Sequence, residues 1–374
     1  MANPGFPKGA LEEARAAVER YGSVAAAARA LGIPDPTLRR RYHRACLDPA
    51  ISASMDAVGT NMVPTMAWAK IPAKDGDPGY SVLLKPQMDA EGAADRIRAV
   101  FDGMAPAAPV AAPDRVMDDL CSVYPLMDLH LGMRAWGVET GDASYDLDLA
   151  CRDMRHAFAK VLALCPDSAE AILILGGDTL HADNDDAETP ASKHKLDVDG
   201  RHFKVIDTAI RIIAETVDLL LAKHGRLTVR ALRGNHDPTA HLVLTFALAE
   251  RYRNEPRVEV EKTPRDLFMR QWGRCAIFAH HGDKAKPQQM ALYLSDVCDF
   301  WSATRHRHLL TGHVHHDAAK DVGPLRWESL RAFCPPDAYA ASMGFGGRRA
   351  IQVLTFHKRD GLVLRALDPI ERAK

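Results

Sequence analysis

Five short stretches of this 374-residue chain place ligand-capable side chains directly behind apolar runs. Asp128 and His130 stand in DLH, Asp178 in GGD, and Asn235, His236 and Asp237 in GNHD; His281 stands in HHGD, and His313 and His315 in GHVH. Taken singly, each is ordinary: Gly-Asn is common turn chemistry, and a histidine at a strand end is usually a hydrogen-bonded structural residue. Together they form a set of carboxylate, amide and imidazole donors with no cysteine. Such a set suits Mn, Fe, Zn or Ni and excludes a structural thiolate zinc site. There are too many donors for one ion, and two ions need a carboxylate between them, a place that Asp178 fits. Two metals about 3.5–4 Å apart can clamp a phosphoryl group, activate a water and stabilise in-line displacement.

Such chemistry needs elements that bring the five stretches to one place. The apolar runs CSVYPLM, AILIL, LTVRALR, CAIFAH and HLLT read as buried strands, each ending at one of these stretches. Helical patterns YDLDLACRDMRHAFAKVLAL, RHFKVIDTAIRIIAETVDLLLAKHG and 238–253 alternate with the first three. Strand–helix alternation predicts an α/β layered domain whose ligands collect at the C-terminal ends of parallel strands. RWESLRAF, AIQVLTFHK and GLVLRAL are further strand candidates, expected to complete a second sheet.

The succession DLH, GGD, GNHD, HG, GHVH over about residues 119–330 resembles the calcineurin-like metallophosphoesterase superfamily. The whole arrangement, with the phrases GDTLHADN, KLDVDGRHFKVID and FCPPDAYA, is similar in particular to phage- or prophage-encoded exonuclease-like members that carry an N-terminal helix-turn-helix. The resemblance implies a two-layer β-sandwich flanked by helices and a dinuclear centre. One ion would be held by Asp128, His130, Asp178 and His315, the other by Asp178, Asn235, His281 and His313. His236 would act on the phosphate as acid or electrostatic stabiliser, oriented by Asp237. Two divalent ions, first of all manganese, with iron, zinc or nickel as alternatives, are the cofactors implied.

The chain departs from the family pattern in GDTLHADN, where His181 occupies a place usually held by Asp or Asn, which suggests a contact behind the ligands or to substrate. In the doublet His280-His281, period-two alternation turns His280 to the opposite face. His156, His194, His202, His224 and His357 read as surface or helix residues without a catalytic role.

Residues 1–47 read as a helix-turn-helix module: three short helices, Ser23 capping the second, Gly32 closing it, and a last helix bearing Arg39, Arg40, Arg41 and Arg44. This stretch holds a surplus of four positive charges although the whole chain has a net charge of -1. A basic helix at this place suits a DNA groove, so DNA is the expected partner and a DNA phosphodiester the expected substrate. The alternative reading of the stretch is an Ala-rich bundle with a solvated basic face. Residues 48–103 read as a hairpin followed by a helix, 104–118 as a Pro/Ala linker, and 119–374 as the catalytic domain.

A hydrophobic content of 47% and charged content of 26% describe a globular protein. Seven scattered cysteines without a C-x-x-C pair fit a reducing cytoplasm. No secretory signal and no membrane span is read, so no membrane partner is expected; the sequence leaves the oligomeric state open. Two other functions share the same donors: a phosphatase or small-molecule phosphodiesterase, favoured by a cramped cleft, and a non-enzymatic DNA-binding or phage-assembly factor, for which a lost ligand would be expected.

Overall fold

The computed structural model describes residues 9–46, 67–71, 80–84 and 106–370. The chain divides into two compact units, Met1–Asp95 and Arg96–Lys374.

In the first unit, helices α1 (Ala10–Tyr21), α2 (Val24–Leu31) and α3 (Asp35–Ala45) lie where the sequence places them. The Ser23 hydroxyl accepts the Ala26 N–H at 3.2 Å, satisfying a donor that a helix start would otherwise leave open. Gly32 ends α2 in the left-handed region, with φ of 64°. Ala14, Ala17, Ala27, Ala28 and Leu38 form a small core whose short side chains let the helices approach closely. The arginines of α3 do not share one face. Leu38 and Tyr42 face the core, Arg41 is half-buried on their flank, and Arg39 is tied to Asp35 at 3.2 Å. Arg40 is exposed, and Arg44 belongs to the same helix. Strands β1 (Ala67–Ile71) and β2 (Tyr80–Leu84) pair antiparallel as the expected hairpin. The helix read over 91–104 lies outside the described residues.

In the second unit, one sheet has six strands: β3 (Met117–Leu126), β4 (Ser168–Leu175), β5 (Arg226–Ala231), β6 (Val258–Val260), β12 (Ala350–His357) and β13 (Gly361–Pro369). Their order is β13-β12-β3-β4-β5-β6, parallel from β3 to β6. The other sheet has five: β7 (Leu267–Trp272), β8 (Cys275–His280), β9 (His306–Thr311), β10 (Ala318–Val322) and β11 (Leu325–Ser329), ordered β10-β11-β9-β8-β7, with β8, β9 and β11 parallel. The tail expected to build a second sheet is split. RWES enters the five-stranded sheet as part of β11, while β12 and β13 extend the six-stranded one beside β3.

Alternation along the strands makes the layers. Val123, Ile172, Ile174, Ile277, Ala279 and Leu310 fill the space between the sheets. The alternate residues Tyr124, Leu173 and Leu175 face the core that includes helices α5 (Leu147–Leu164), α6 (His202–Lys223) and α7 (His241–Arg251). On the five-stranded sheet, Ala276, Phe278 and Leu309 pack against Met290 and Leu294 of α8 (Pro287–Val297). The result is a two-layer β-sandwich flanked by helices. Fully burying each aliphatic side chain contributes roughly 1.5–3 kcal/mol, so this double core fixes the strand ends firmly.

Residues 106–116 form no helix or strand, yet part of the segment lies on the sandwich unit. Ala107 N–H donates to the Arg251 carbonyl at 2.8 Å, and the Arg257 guanidinium donates to the Val110 carbonyl at 2.6 Å. Among the described residues no helix is long and apolar enough to cross a membrane.

Candidate metal centre

The parallel strands β3, β4 and β5 and the parallel pair β8 and β9 deliver their following loops to one end of the sandwich. The ladders continue past the strands and set the register of these loops. His130 N–H donates to the Asp178 carbonyl at 2.8 Å, and Gly312 N–H donates to the His281 carbonyl at 2.9 Å. The residues expected to act together therefore meet: donor atoms of Asp128, His130 and Asp178 lie within 4.8 Å of one another, and so do those of Asp178, His281 and His313. Asp178 belongs to both groups. Its Oδ2 lies 3.8 Å from His130 Nε2 and 3.3 Å from His281 Nε2. Asn235 Oδ1 is 3.0 Å from His281 Nε2, and His315 Nε2 is 3.5 Å from Asp128 Oδ1.

The backbone holds this arrangement in uncommon conformations. Asp128, His130, Asp178, His313 and His315 all have positive φ, between 46° and 69°. Left-handed backbone costs an L-residue about 1–2 kcal/mol, and Asp, Asn and His are the side chains most often found there. Five such residues at one site are strain held in place by the surrounding core.

Close approach of the loops needs glycines as well. A Cβ on Gly234 would overlap the carboxylate and backbone nitrogen of Asp178, and one on Gly312 would overlap the Asp128 carboxylate. Gly234→Ala is therefore expected to displace Asp178, destabilise the fold by about 1–3 kcal/mol and abolish tight metal binding. Thermal unfolding and metal titration of the variant check this; native affinity would show that the loops do not pack so closely.

The donor set fits cations. His281 Nδ1 donates to the Gly176 carbonyl at 3.0 Å, which directs the Nε2 lone pair toward Asp178 Oδ2 and Asn235 Oδ1. Three acceptors facing one another require a positive charge between them. Without a metal a proton serves: burial opposes the charged imidazole, but the hydrogen bond and charge of Asp178 outweigh it and raise His281 to about 10. Burial likewise opposes ionisation of Asp178, and His281 and His130 override it, holding the carboxyl well below its ordinary range. Among the described residues His130 Nε2 is buried without a hydrogen-bond partner, as an atom reserved for a ligand bond would be. Burial and the neighbouring His236 keep His130 neutral, the form that binds metal.

Several assignments from sequence change. Asp237 does not orient the His236 ring. It is fully buried and accepts N–H groups from Gly234, Asp178 and Leu180 at 3.0–3.1 Å, locking the two loops together. Burial and the Asp178 charge push its pKa up, against those backbone donors. The His236 ring is oriented by the His181 carbonyl, which accepts from Nδ1 at 2.9 Å. His181 packs on His130, its Nδ1 3.0 Å from His130 Nδ1. Burial and His236 lower its pKa to about 3. Asp183 caps the turn into α7, accepting from Thr239 and Ala240. Asp283 pairs with Arg233 at 2.8 Å. His280 points away from the centre and accepts the Gly282 N–H, and His316 is exposed. His224 is no surface residue: it is fully buried between Tyr124 and Ser168.

Sequence reasoning missed Cys334. Its sulfur lies within 4.8 Å of donor nitrogens of His130 and His315, and its N–H donates to the Asp128 carbonyl at 3.2 Å. Absence of a C-x-x-C pair set the cysteines aside, and nothing in FCPPD marks it as near the centre.

His130, Asp178, Asn235, His236, His313 and His315 lie on the floor of a cleft of about 710 Å³. One wall comes from residues 189–196, including His194 and Lys195; the other comes from 335–348, including Tyr339, Phe345 and Arg348. The walls meet where the His194 ring lies 5.7 Å from that of Tyr339, so His194 belongs to the cleft as well.

No family model matches this chain, and no curated protein matches it. Three solved structures to which it is similar are a conserved uncharacterized protein of Streptococcus pneumoniae TIGR4 described as a predicted phosphoesterase, zinc-complexed Vps29 of Entamoeba histolytica, and a novel archaeal phosphodiesterase. The first is 10% identical, covering 67% of this chain and 98% of that one, with a TM-score of 0.29. For Vps29 the values are 12%, 67%, 99% and 0.29. For the archaeal enzyme they are 13%, 66%, 99% and 0.34.

Proposed function

We propose that the chain is a dinuclear-metal-dependent phosphoesterase acting on phosphodiesters, with DNA as its substrate. The observation that carries this reading is Asp178, whose carboxylate belongs to two groups of clustered donors, Asp128 and His130 in one and His281 and His313 in the other. Asp128, His130, Asp178 and His315 would hold one ion, and Asp178, Asn235, His281 and His313 the other. Manganese is the first expectation, with iron, zinc or nickel as alternatives, since every donor in these sets is oxygen or imidazole. When bound, two such ions would supply Lewis-acid charge to phosphoryl oxygens and activate water.

The remaining work falls to this chain's own side chains. The Gly176 carbonyl fixes the tautomer of His281, and the His181 ring holds the His130 ring at 3.0 Å between their Nδ1 atoms. His236, half-exposed in the cleft, donates through Nδ1 to a fixed carbonyl and so keeps Nε2 for the substrate or leaving group.

DNA as a partner rests on the N-terminal helices. Replacing Arg39, Arg40 and Arg41 together by Ala is expected to weaken DNA binding and to lower the slope of log affinity against log salt by about 1 for each phosphate no longer neutralised. Anisotropy titrations over a range of salt concentrations measure it, and an unchanged slope would remove α3 from DNA binding. Exposed Arg40 should account for more of the effect than Arg39, which is held by Asp35.

A second reading, a small-molecule phosphodiesterase, is favoured by the modest cleft volume of about 710 Å³, within the range of small-ligand pockets. Incubation with Mn²⁺ and linear DNA, bis-p-nitrophenyl phosphate or p-nitrophenyl phosphate separates them. DNA cleavage supports the first reading, and hydrolysis of the small diester alone supports the second. No hydrolysis of any substrate would remove both.

A further inference from the structure

Asp178 and His130 are no more than 3% exposed, at the bottom of a walled cleft. A phosphodiester must enter the cleft to reach them. The phosphates of an intact duplex are held on a rigid rod with a major groove about 12 Å wide, and they cannot be pushed past two walls that touch at His194 and Tyr339. A strand whose bases have left the stack can be.

The 335–348 wall carries features suited to such a strand. Tyr339 is 56% exposed and Phe345 is 60% exposed, both lining the cleft, in a chain with only 6% aromatic residues. Phe345 N–H donates to the Ala340 carbonyl at 2.8 Å, which ties the segment bearing Phe345 back to helix α9 (Ala338–Ser342), where Tyr339 stands. The wall sits directly on the GHVH loop, since a Cβ on Gly347 would overlap the His315 carbonyl. Arg348, exposed and lining the same cleft, has no carboxylate partner among the described residues, whereas Lys195 opposite is paired to Glu188 at 2.8 Å. Helix α4 (Gly137–Thr140) packs beside α9, and Trp136 just before it is 62% exposed.

Solvent-exposed rings beside an unneutralised cation and a phosphate-competent floor are the components of a single-strand binding surface. Bases stack on the rings, the guanidinium meets the backbone, and no base edge has to be read. We infer that Tyr339 and Phe345 form a stacking platform for two unpaired nucleobases next to the scissile phosphate, with Arg348 holding the neighbouring phosphate. The substrate at the metal centre is then a single strand or an unpaired end. The inference rests on the phosphodiesterase reading above and names the substrate class of that site.

Short substrates test the platform without engaging a duplex-reading module. The full-length protein with Mn²⁺ is given the trinucleotide TpTpT, an abasic analogue with the same phosphates, a paired oligonucleotide and thymidine 5′-p-nitrophenyl phosphate. Binding to the two trinucleotides is also measured in EDTA. TpTpT should be bound and cleaved at least about tenfold better than the abasic analogue. Tyr339→Ala and Phe345→Ala should each erase most of that difference, and Tyr339→Phe should keep it. Arg348→Ala should weaken both trinucleotides equally. Equal handling of TpTpT and its abasic analogue, a preference for the paired oligonucleotide or for the mononucleotide, or alanine variants that keep the base preference would each overturn the inference. Hydrolysis of bis-p-nitrophenyl phosphate by the native chain keeps the two claims apart. If it is hydrolysed and base preference is missing, the platform falls and the phosphoesterase stands. If nothing is hydrolysed while base preference persists in EDTA, the reverse holds.

Discussion

Asp178→Asn is expected to reduce phosphodiester hydrolysis below detection and to remove dinuclear occupancy. The substitution changes few atoms, so its effect is electrostatic. Asp178 Oδ2 lies between His130 Nε2 and His281 Nε2, and Oδ1 accepts the His236 N–H at 2.8 Å. An amide can keep the last of these interactions through its oxygen. It cannot supply negative charge to both donor groups, and two cations held close together need that charge between them. Both groups lose their shared anion in either orientation of the amide. The variant should fold, since the Asp237 carboxylate and the ladder hydrogen bonds that join the loops are untouched. Metal analysis alongside turnover checks the expectation, and turnover near native levels would remove the two-metal account.

His236→Gln should keep both metals and slow the chemical step by about two to four orders of magnitude. His236 contributes no atom to the two donor groups that share Asp178, but its ring packs against His130 at 4.7 Å and His181 at 5.3 Å. Its Nδ1 is fixed by the His181 carbonyl, so the ring presents Nε2 in a fixed direction. Glutamine can reproduce a hydrogen bond and cannot deliver a proton near neutral pH. The loss should therefore fall on kcat, with little change in KM or in metal titration. It should shrink for substrates whose leaving group needs no proton, such as p-nitrophenolate. An unchanged kcat for DNA would assign His236 a structural role only.

The donors were legible in the sequence because each follows an apolar run, most of them beside a glycine, and strand–helix alternation places such ends together. Asp178 as the shared carboxylate follows from counting donors. Relations between loops were less legible. Asp237 adjoins His236 in sequence, which suggests a pair. In the fold, its side chain turns inward to bridge the GGD and GNHD loops, while a carbonyl 55 residues away orients the imidazole. Adjacent side chains on a strand end rarely share a direction, so adjacency was the wrong guide. Cys334 escaped notice because its nearness to His130 and His315 depends on how β12 and the segment before it return beside β3, a long-range pairing without local signature. The same holds for the split tail: β11 and β12 have similar patterns, and only tertiary packing assigns them to different sheets. Positive φ at five of the site residues also has no sequence signal beyond the preference of Asp and His for that region.

The most direct test of the account is the number and coupling of bound ions. The metal-free protein would be titrated with Mn²⁺ and followed by electron paramagnetic resonance, with Asp178→Asn in parallel. The account predicts two ions per chain whose spins are exchange-coupled in the native protein, and loss of that coupling in the variant. A single isolated Mn²⁺ signal in both proteins, or coupling that survives in Asp178→Asn, would contradict it.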